Sequence, residues 1–345
     1  MPTQKPRRWN SFKDRLIERF GEVVYKVGID AGFTCPNRDG TKAWGGCAYC
    51  SQEGSLSPHQ DPNLEIPAQI IKGRNFARRR YKAQKYIVYF QSFTNTYASV
   101  DVLKERFEAA LLDESIVGLS VATRPDCVNE ENAAYMAELS GRLPYFTVEL
   151  GLQSAYQNRL AWVNRQESVE DFVKAMEILR RHGLKVVTHV ILGFPGETAQ
   201  DMLDTALLAD REGSFGIKLQ MLHVIKGTKL AHIYSKAPFP LMSLEEYGEN
   251  VIQILERLSP TIEIHRITGE TESSSLVAPD WVRQKAKFFE WIDRELDARE
   301  TYQGKFFGSS EVPRSLVNNL AAQVCASRET VGVGASPQPS SSLAF

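Results

Sequence analysis

Short apolar, β-branched runs alternate with helix-period segments along most of this chain, and that alternation leaves few folds open. The runs fall at 86–90, 117–122, 146–150, 185–192, 216–222 and 262–267. Helical patterns lie between them, at 99–113, 129–140, 155–181, 198–212 and 243–258. Some, such as Ser168 to Arg180, keep a clear amphipathic period. Strands alternating with helices imply a parallel sheet with right-handed crossovers. A closed eight-unit barrel needs two more units than the six read here. A partial barrel and an open sheet both fit.

The flanks differ from this repeat. A helix is expected over 12–20 and a short strand over 23–29. Residues 31–62 are rich in Gly, Cys, Asn, Asp and Ser and read as a long loop, the kind that usually carries function. Residues 276–300 read as an amphipathic helix with Trp281, Phe288, Phe289 and Trp291. From 326 the chain turns Ser-Pro-Gln-Gly rich, which predicts a disordered tail. The expected organisation is an N-terminal extension over 1–30, a core over 31–270, a helical extension over 271–325 and the tail over 326–345.

With 345 residues, 43% of them apolar, the chain can bury one large core. A net charge of −1 gives no global field, so a polyanion would need a local basic patch. The basic N-terminus is followed by no apolar run, and no apolar stretch reaches membrane-spanning length. The expectation is a cytoplasmic protein without a membrane partner.

Of the five cysteines, Cys35, Cys47 and Cys50 fall within 16 residues, in the pattern Cys35-x11-Cys47-x2-Cys50. In a cytosolic chain this favours metal binding over disulfides. Three thiolates can hold three irons of a cubane cluster and leave the fourth iron open. A structural zinc site wants four ligands, with His59 or Cys127 as the candidates to complete it. Spacing alone leaves both open. A zinc- or haem-binding regulatory module is accordingly the non-enzymatic alternative.

The loop sequence Cys-Pro-Asn-Arg-Asp-Gly-Thr at 35–41, followed by Gly-Gly-Cys-Ala-Tyr-Cys at 45–50, resembles the radical S-adenosylmethionine (SAM) superfamily. The resemblance continues through the segment from Phe90 to Tyr97, Ala122-Thr-Arg-Pro-Asp-Cys127, the Glu149-x-Gly-x-Gln-Ser154 motif and Asn164-Arg165. It goes on with His189-Val-Ile-Leu-Gly-Phe-Pro-Gly-Glu197, Lys218 to Thr228 and His265 to Glu270. Together these are similar to a bacterial family of the YhcC/YtqA type, related to the Elongator catalytic subunit, over roughly residues 10–300. The resemblance implies an α/β fold, a partial (β/α)6 TIM-type barrel with an N-terminal cluster loop and a C-terminal helical extension. It implies an enzyme in which Cys35, Cys47 and Cys50 hold a [4Fe–4S] cluster. The cluster would reductively cleave SAM to a 5′-deoxyadenosyl radical that takes hydrogen from a substrate.

For the SAM contacts, the resemblance implies Thr94 and Asn95 by position, then Glu149, Gln153 and Arg165 by motif. It adds Arg124 after the second strand, His189 toward the ribose, and Gly193 and Gly196 in a tight turn near adenine. Ala122 departs from the Elongator group, which carries Glu there. Cys127 reads as a structural thiol, or as a residue that donates hydrogen or serves as a ligand. Lys218, His223, Lys226 and Thr228 are expected to face the substrate, and Gln220 departs from the expected His.

Kinship with the Elongator subunit suggests tRNA, modified on a wobble-uridine side chain. The chain length is expected to leave no room for that subunit's acetyltransferase domain. The alternatives among enzymes are a small metabolite or a porphyrin precursor. One cysteine cluster, not two, argues against sulfur insertion. Between Lys72 and Lys85 lie seven Lys or Arg with Phe76 and Tyr81 among them, a solvated helix face or a phosphate-binding stripe. The family also implies an electron donor such as flavodoxin or ferredoxin.

Overall fold

The computed structural model describes residues 7–52, 54, 61–269 and 271–309. Residues 1–307 make one compact unit, and the remaining unit, from Gly308 on, has only its first two residues described. The expected tail at 326–345, Cys325 and His59 lie outside the described residues.

In chain order the elements begin with α1 (Phe12–Phe20), β1 (Val24–Ile29), α2 (Ile66–Tyr81), β2 (Lys85–Phe90), α3 (Val100–Glu108) and β3 (Ile116–Thr123). There follow α4 (Glu130–Gly141), β4 (Tyr145–Gln153), α5 (Gln157–Trp162), α6 (Val169–Arg181), β5 (Val186–Leu192), α7 (Ala199–Arg211) and β6 (Gly216–Met221). The chain continues through β7 (Val224–Ile225), α8 (Lys229–Lys236), α9 (Leu244–Arg257), β8 (Glu263–Arg266), β9 (Leu276–Ala278) and α10 (Lys285–Ala298). None of the described helices is long and apolar enough to cross a membrane.

Seven strands form one sheet in the order β1-β2-β3-β4-β5-β6-β8, with every neighbouring pair parallel. The sheet curls into a partial barrel with its helices outside. All nine residues of β4 are buried, although apolar Phe146, Val148, Leu150 and Leu152 alternate with Thr147, Glu149, Gly151 and Gln153, so both faces of this strand are covered. The strand expected in the N-terminal extension is β1, a full member of the sheet, so there are seven strands and not six. Val27 and Ile29 draw it in, being buried in the main core.

Helix α1 closes the end of the sheet where the strands begin. Its Leu16 packs with Ile87, Val117 and Tyr145, flanked by Phe12, Phe20 and Val24. It also touches both edge strands, β1 and β8, and Ser11 just before it bridges Ile264. Because Leu16 plugs a site walled by three strands, Leu16→Ala leaves a cavity that little can collapse into. Chemical denaturation of this variant is expected to show a loss of about 2–5 kcal/mol.

Two expected helices are broken. The run 155–181 divides into α5 and α6, because Asn164 and Gln166 take φ of 55° and 56° in the linker. Asn is among the residues that tolerate that region. A capping box between Ser168 and Asp171 then starts α6. The run 276–300 begins as β9, paired antiparallel with β7, and becomes α-helical only at Lys285. Pro279, which has no N–H to donate, separates the two parts. Helices α2 and α8 were not anticipated as elements.

Candidate active site

A cavity of about 920 Å³ opens at the carboxyl ends of the strands and runs down the barrel interior. Its volume lies in the range of small-molecule sites, about 300–1,000 Å³. Cys35, Cys47 and Cys50 form part of its upper wall.

The cysteine loop is held chiefly by bonds that do not involve its thiols. Gly46 takes φ of 78° and donates its N–H to the Asn37 carbonyl at 2.7 Å. The Asn37 Nδ2 donates to the Asn164 carbonyl at 2.6 Å, and the Asn164 Nδ2 returns a bond to the Gly46 carbonyl at 3.1 Å. Backbone bonds from Ala48 N–H to the Val163 carbonyl and from Leu230 N–H to the Ala48 carbonyl, both 2.8 Å, complete the stitching. The α5–α6 linker therefore has two tasks: it breaks a helix and it anchors the loop.

Arg165 sits on that linker between the two left-handed residues. Its guanidinium donates to the Gly151 carbonyl at 3.2 Å, approaches Cys47 Sγ at 3.6 Å and Tyr49 Oη at 3.5 Å, and pairs with Glu167. A Cβ at Gly151 would stand 2.4 Å from Gln153 Nε2 and 2.7 Å from the Arg165 guanidinium, so a larger residue there would displace one of these side-chain ends. Arg124 grips Asp126 with two bonds of 2.8 Å, reaches Glu167 at 3.2 Å and donates to the Arg165 carbonyl at 3.0 Å. Burial works to raise the Asp126 pKa, but Arg124 and Lys42 outweigh it and hold the carboxyl low.

Thr94, after β2, lines the cavity; its Oγ1 is buried with no partner. Asn95 faces away and ties β2 to β3, donating to the carbonyls of Phe90, Ser92 and Ala122 at 2.9–3.0 Å. Gln153 ends β4 at φ of 67° and lines the cavity.

Glu149 and His189 lie deeper. The Glu149 carboxylate is fully buried and accepts from Lys26 at 2.6 Å, from His189 Nε2 at 2.7 Å and from Lys218. Burial pushes this carboxyl up, and Lys218, Lys26 and His189 overcome it, holding it well below its usual range. Burial and then Lys218 press His189 down to about 4, so it is neutral at physiological pH. Burial, joined by Lys26 and Arg266, brings Lys218 down to about 7 against the pull of Glu149.

Thus Cys35, Cys47, Cys50, Thr94, Arg124, Gln153 and Arg165 gather around the upper cavity, with Glu149 and His189 at its floor. Gly193 and Gly196 sit beside it and not on its wall. Their turn is built on Glu197, which accepts from the Gly193 and Phe194 N–H groups at 2.7 and 3.0 Å. Of the residues expected to face substrate, Lys218 and His223 line the cavity. Lys226 and Thr228 do not, and the Thr228 side chain caps α8. Cys127 is off the wall, its thiol beside Asp126 at 3.7 Å and pushed up by burial.

Sequence reasoning missed Lys26, Tyr89, Arg266 and Glu167. A lysine inside the strand Val24–Ile29 is the one signal that pointed to Lys26. The Arg165-x-Glu167 spacing pointed to the Glu167 pair.

Three thiols on one loop beside an open cavity fit a cubane cluster. Among the described residues no three His, Cys, Asp or Glu side chains converge on one point as a mononuclear metal requires. In a cubane each thiolate takes a different iron, so convergence on one point is not needed.

Comparison with known proteins agrees with this geometry. The family model of the Radical SAM superfamily matches residues 35–209, and that of the Radical_SAM C-terminal domain matches residues 215–298. YtqA of Bacillus subtilis is 39% identical over 310 residues, covering 90% of this chain and 96% of that protein. A tRNA uridine(34) acetyltransferase of Methanocaldococcus infernus is 29% identical over 235 residues, covering 64% of this chain and 40% of that protein. The solved structure of Methanocaldococcus infernus Elp3 superposes with a TM-score of 0.60 at 20% identity, covering 81% of this chain and 64% of that one. Seven parallel strands in a partial barrel, three thiols at the mouth of its cavity and these matches lead to one conclusion: the chain is an enzyme of the radical SAM superfamily, of the YhcC/YtqA type, whose cofactors are a [4Fe–4S] cluster and S-adenosylmethionine.

Proposed function

We propose that the protein modifies a nucleoside of tRNA at an unreactive C–H position. The observation that carries the substrate class is the edge of the cavity along β1, near the end where the strands begin. Tyr25 and Tyr81 stack there with ring centroids 5.1 Å apart, and Phe76 meets Tyr81 edge-on at 6.0 Å. All three line the cavity, and Arg78, Arg79, Arg80 and Lys82 stand exposed beside them at the end of α2. Basic side chains track phosphates and aromatic faces stack on bases, which is the combination single-stranded RNA needs. The relationship to a tRNA uridine(34) acetyltransferase supports the same reading.

In this reading Cys35, Cys47 and Cys50 hold three irons, and the open cavity beneath them receives SAM. When bound, the cluster and SAM supply one-electron cleavage to a 5′-deoxyadenosyl radical that removes a hydrogen atom from the substrate. Thr94, Gln153 and Arg165 hold the SAM polar groups, through an unpartnered hydroxyl, an amide and a guanidinium. Arg124 acts through Arg165, since its own donors are committed to Asp126, Glu167 and the linker carbonyls. The enclosing barrel keeps water from the reacting centre.

Two measurements test this. Anaerobically reconstituted protein with reductant and SAM is expected to release 5′-deoxyadenosine. Comparison of tRNA nucleosides from a deletion strain and its parent by mass spectrometry is expected to show one altered species. Unchanged nucleosides would move the substrate to a small metabolite. This basic edge makes its own prediction. The triple variant Arg78→Glu, Arg79→Glu, Arg80→Glu should weaken tRNA binding by about tenfold or more and flatten its salt dependence. Deoxyadenosine release without tRNA should be unchanged.

A further inference from the structure

The cysteine loop has an outer side as well as the inner one that meets the cavity. Its backbone is tied to α8. Leu230 N–H, in the first turn of that helix, donates to the carbonyl of Ala48, the residue next to Cys47, at 2.8 Å. The Lys229 ammonium donates to the Trp44 carbonyl at 3.0 Å. Leu230 is buried in one cluster with Ala48 and Val163, so α8 turns its apolar side to the loop. Its other side carries Lys229, His232, Ile233 and Lys236, all exposed. Their i, i+3, i+4, i+7 spacing puts the four in one stripe.

Beside this stripe stands Trp44, 74% exposed and the most exposed large apolar side chain among the described residues. An exposed aromatic side chain bordered by basic ones is the composition of a recognition surface, not of an ordinary solvated face. Neither Trp44 nor the α8 stripe lines the cavity, so this face does not hold the group that reacts there. Its charge is positive. From Gly213 to Leu244 the chain has no Asp or Glu, while Lys226, Lys229 and Lys236 are exposed. The loop itself is close to balanced. Over 31–52 it carries Arg38, Asp39 and Lys42, and Lys42 pairs with Asp126, which Arg124 also holds. The excess therefore comes from α8.

Reductive cleavage of SAM begins with one electron that the cluster must receive from outside the protein. Electron transfer weakens steeply with distance, so a donor has to seat close to the cysteine loop. The outer side offers that place, since a single hydrogen bond separates α8 from the peptide next to Cys47. We propose that Trp44 and the stripe from Lys229 to Lys236 form the docking face for an acidic one-electron carrier protein. The carrier loses one electron, the cluster gains one, and no bond forms or breaks. This inference rests on Cys35, Cys47 and Cys50 holding the cluster. The lysines steer the encounter, and the contact is small and short-lived, as electron-transfer interfaces are.

The test mixes the cluster-loaded full chain with the reduced form of an acidic flavodoxin, anaerobically and without SAM. The electron paramagnetic resonance signal of the reduced cluster gives the rate, and dithionite is run in parallel. Transfer from flavodoxin to wild type is expected to slow about tenfold or more between low and high salt. The double variant Lys229→Glu, Lys236→Glu should lose about tenfold of the flavodoxin rate and most of its salt dependence, and Trp44→Ala should also be slower. Lys229→Arg with Lys236→Arg should keep the wild-type rate. Dithionite needs no docking face and should reduce every variant as it does wild type. The inference is overturned if wild-type transfer from flavodoxin is indifferent to salt, a result that needs no variant to fold. It is equally overturned if the charge-reversed protein keeps the flavodoxin rate, or loses the dithionite rate in proportion, which is a structural role. Weaker tRNA binding by that variant with flavodoxin transfer intact would give the face to RNA and overturn it too. A wild-type cluster reduced by dithionite but not by flavodoxin sinks the docking face alone. A protein that holds no reducible cluster sinks the radical reading, and this inference with it.

Discussion

Cys47→Ala is expected to abolish both the cluster and deoxyadenosine release while leaving the barrel folded. Cys47 is buried, and its sulfur is approached by Asn37 Nδ2 at 3.5 Å and by Arg165 at 3.6 Å, weak bonds whose loss costs little. The loop itself hangs on Asn37, Asn164, Ala48 and Val163, none of which needs a thiol. Circular dichroism and the melting temperature should therefore stay near wild type, with a change of about 1 kcal/mol. Iron content and the visible absorption of the cluster should fall to background, and deoxyadenosine below detection, because the cofactor supplies the chemistry. Cys35→Ala and Cys50→Ala should behave alike. A structural metal predicts the reverse, since removing a ligand then removes folding energy. A protein that melts many degrees lower yet still cleaves SAM would contradict the assignment.

Much of the barrel was legible because each of β2 to β6 carries several buried, β-branched or aromatic apolar residues between helix-period segments. The linker at 163–168 was not, because the polar run from Asn164 to Ser168 suits an exposed helix face as well as a turn. Only the backbone angles of Asn164 and Gln166 break the helix, and the gain for doing so, anchoring the cysteine loop, comes from residues more than a hundred positions away. Helix α2 was visible as a charge run but not as a wall, since Gly73, Phe76 and Tyr81 meet the cavity only after the sheet curls. The thiols were the easiest part of the site, being close in sequence and chemically distinctive. The floor was the hardest. Lys26, Glu149 and Lys218 lie on β1, β4 and β6, and nothing local tells a strand lysine that its partner is on another strand. Glu149 and His189 were expected at SAM. They sit in a buried charge network at the floor.

That network yields the second large effect. Glu149→Gln is expected to lower stability by about 3–5 kcal/mol at neutral pH, the usual cost of removing one partner from a buried ion network. The amide oxygen can accept from one lysine, which leaves the other ammonium buried without the carboxylate it shared. The effect has a pH signature. In the wild type the Glu149 carboxyl is held below its unfolded value, so its contribution is present above the ordinary carboxylate range and is lost as pH falls through the folded pKa. Lys218 is held at about 7, below its unfolded value, so it loses its charge in the folded state as pH rises past that point. The ion pair removed by the variant therefore exists only between these limits. Denaturation across pH should show the gap between wild type and variant widest from mildly acidic to neutral conditions and narrowing on both sides. Adding Lys218→Met to Glu149→Gln removes the stranded charge and should recover a large part of the loss, a coupling that a double-mutant cycle measures directly. A gap below about 0.5 kcal/mol, or one that stays constant with pH, would mean that Glu149 is held by its neighbours' shape and not by their charge.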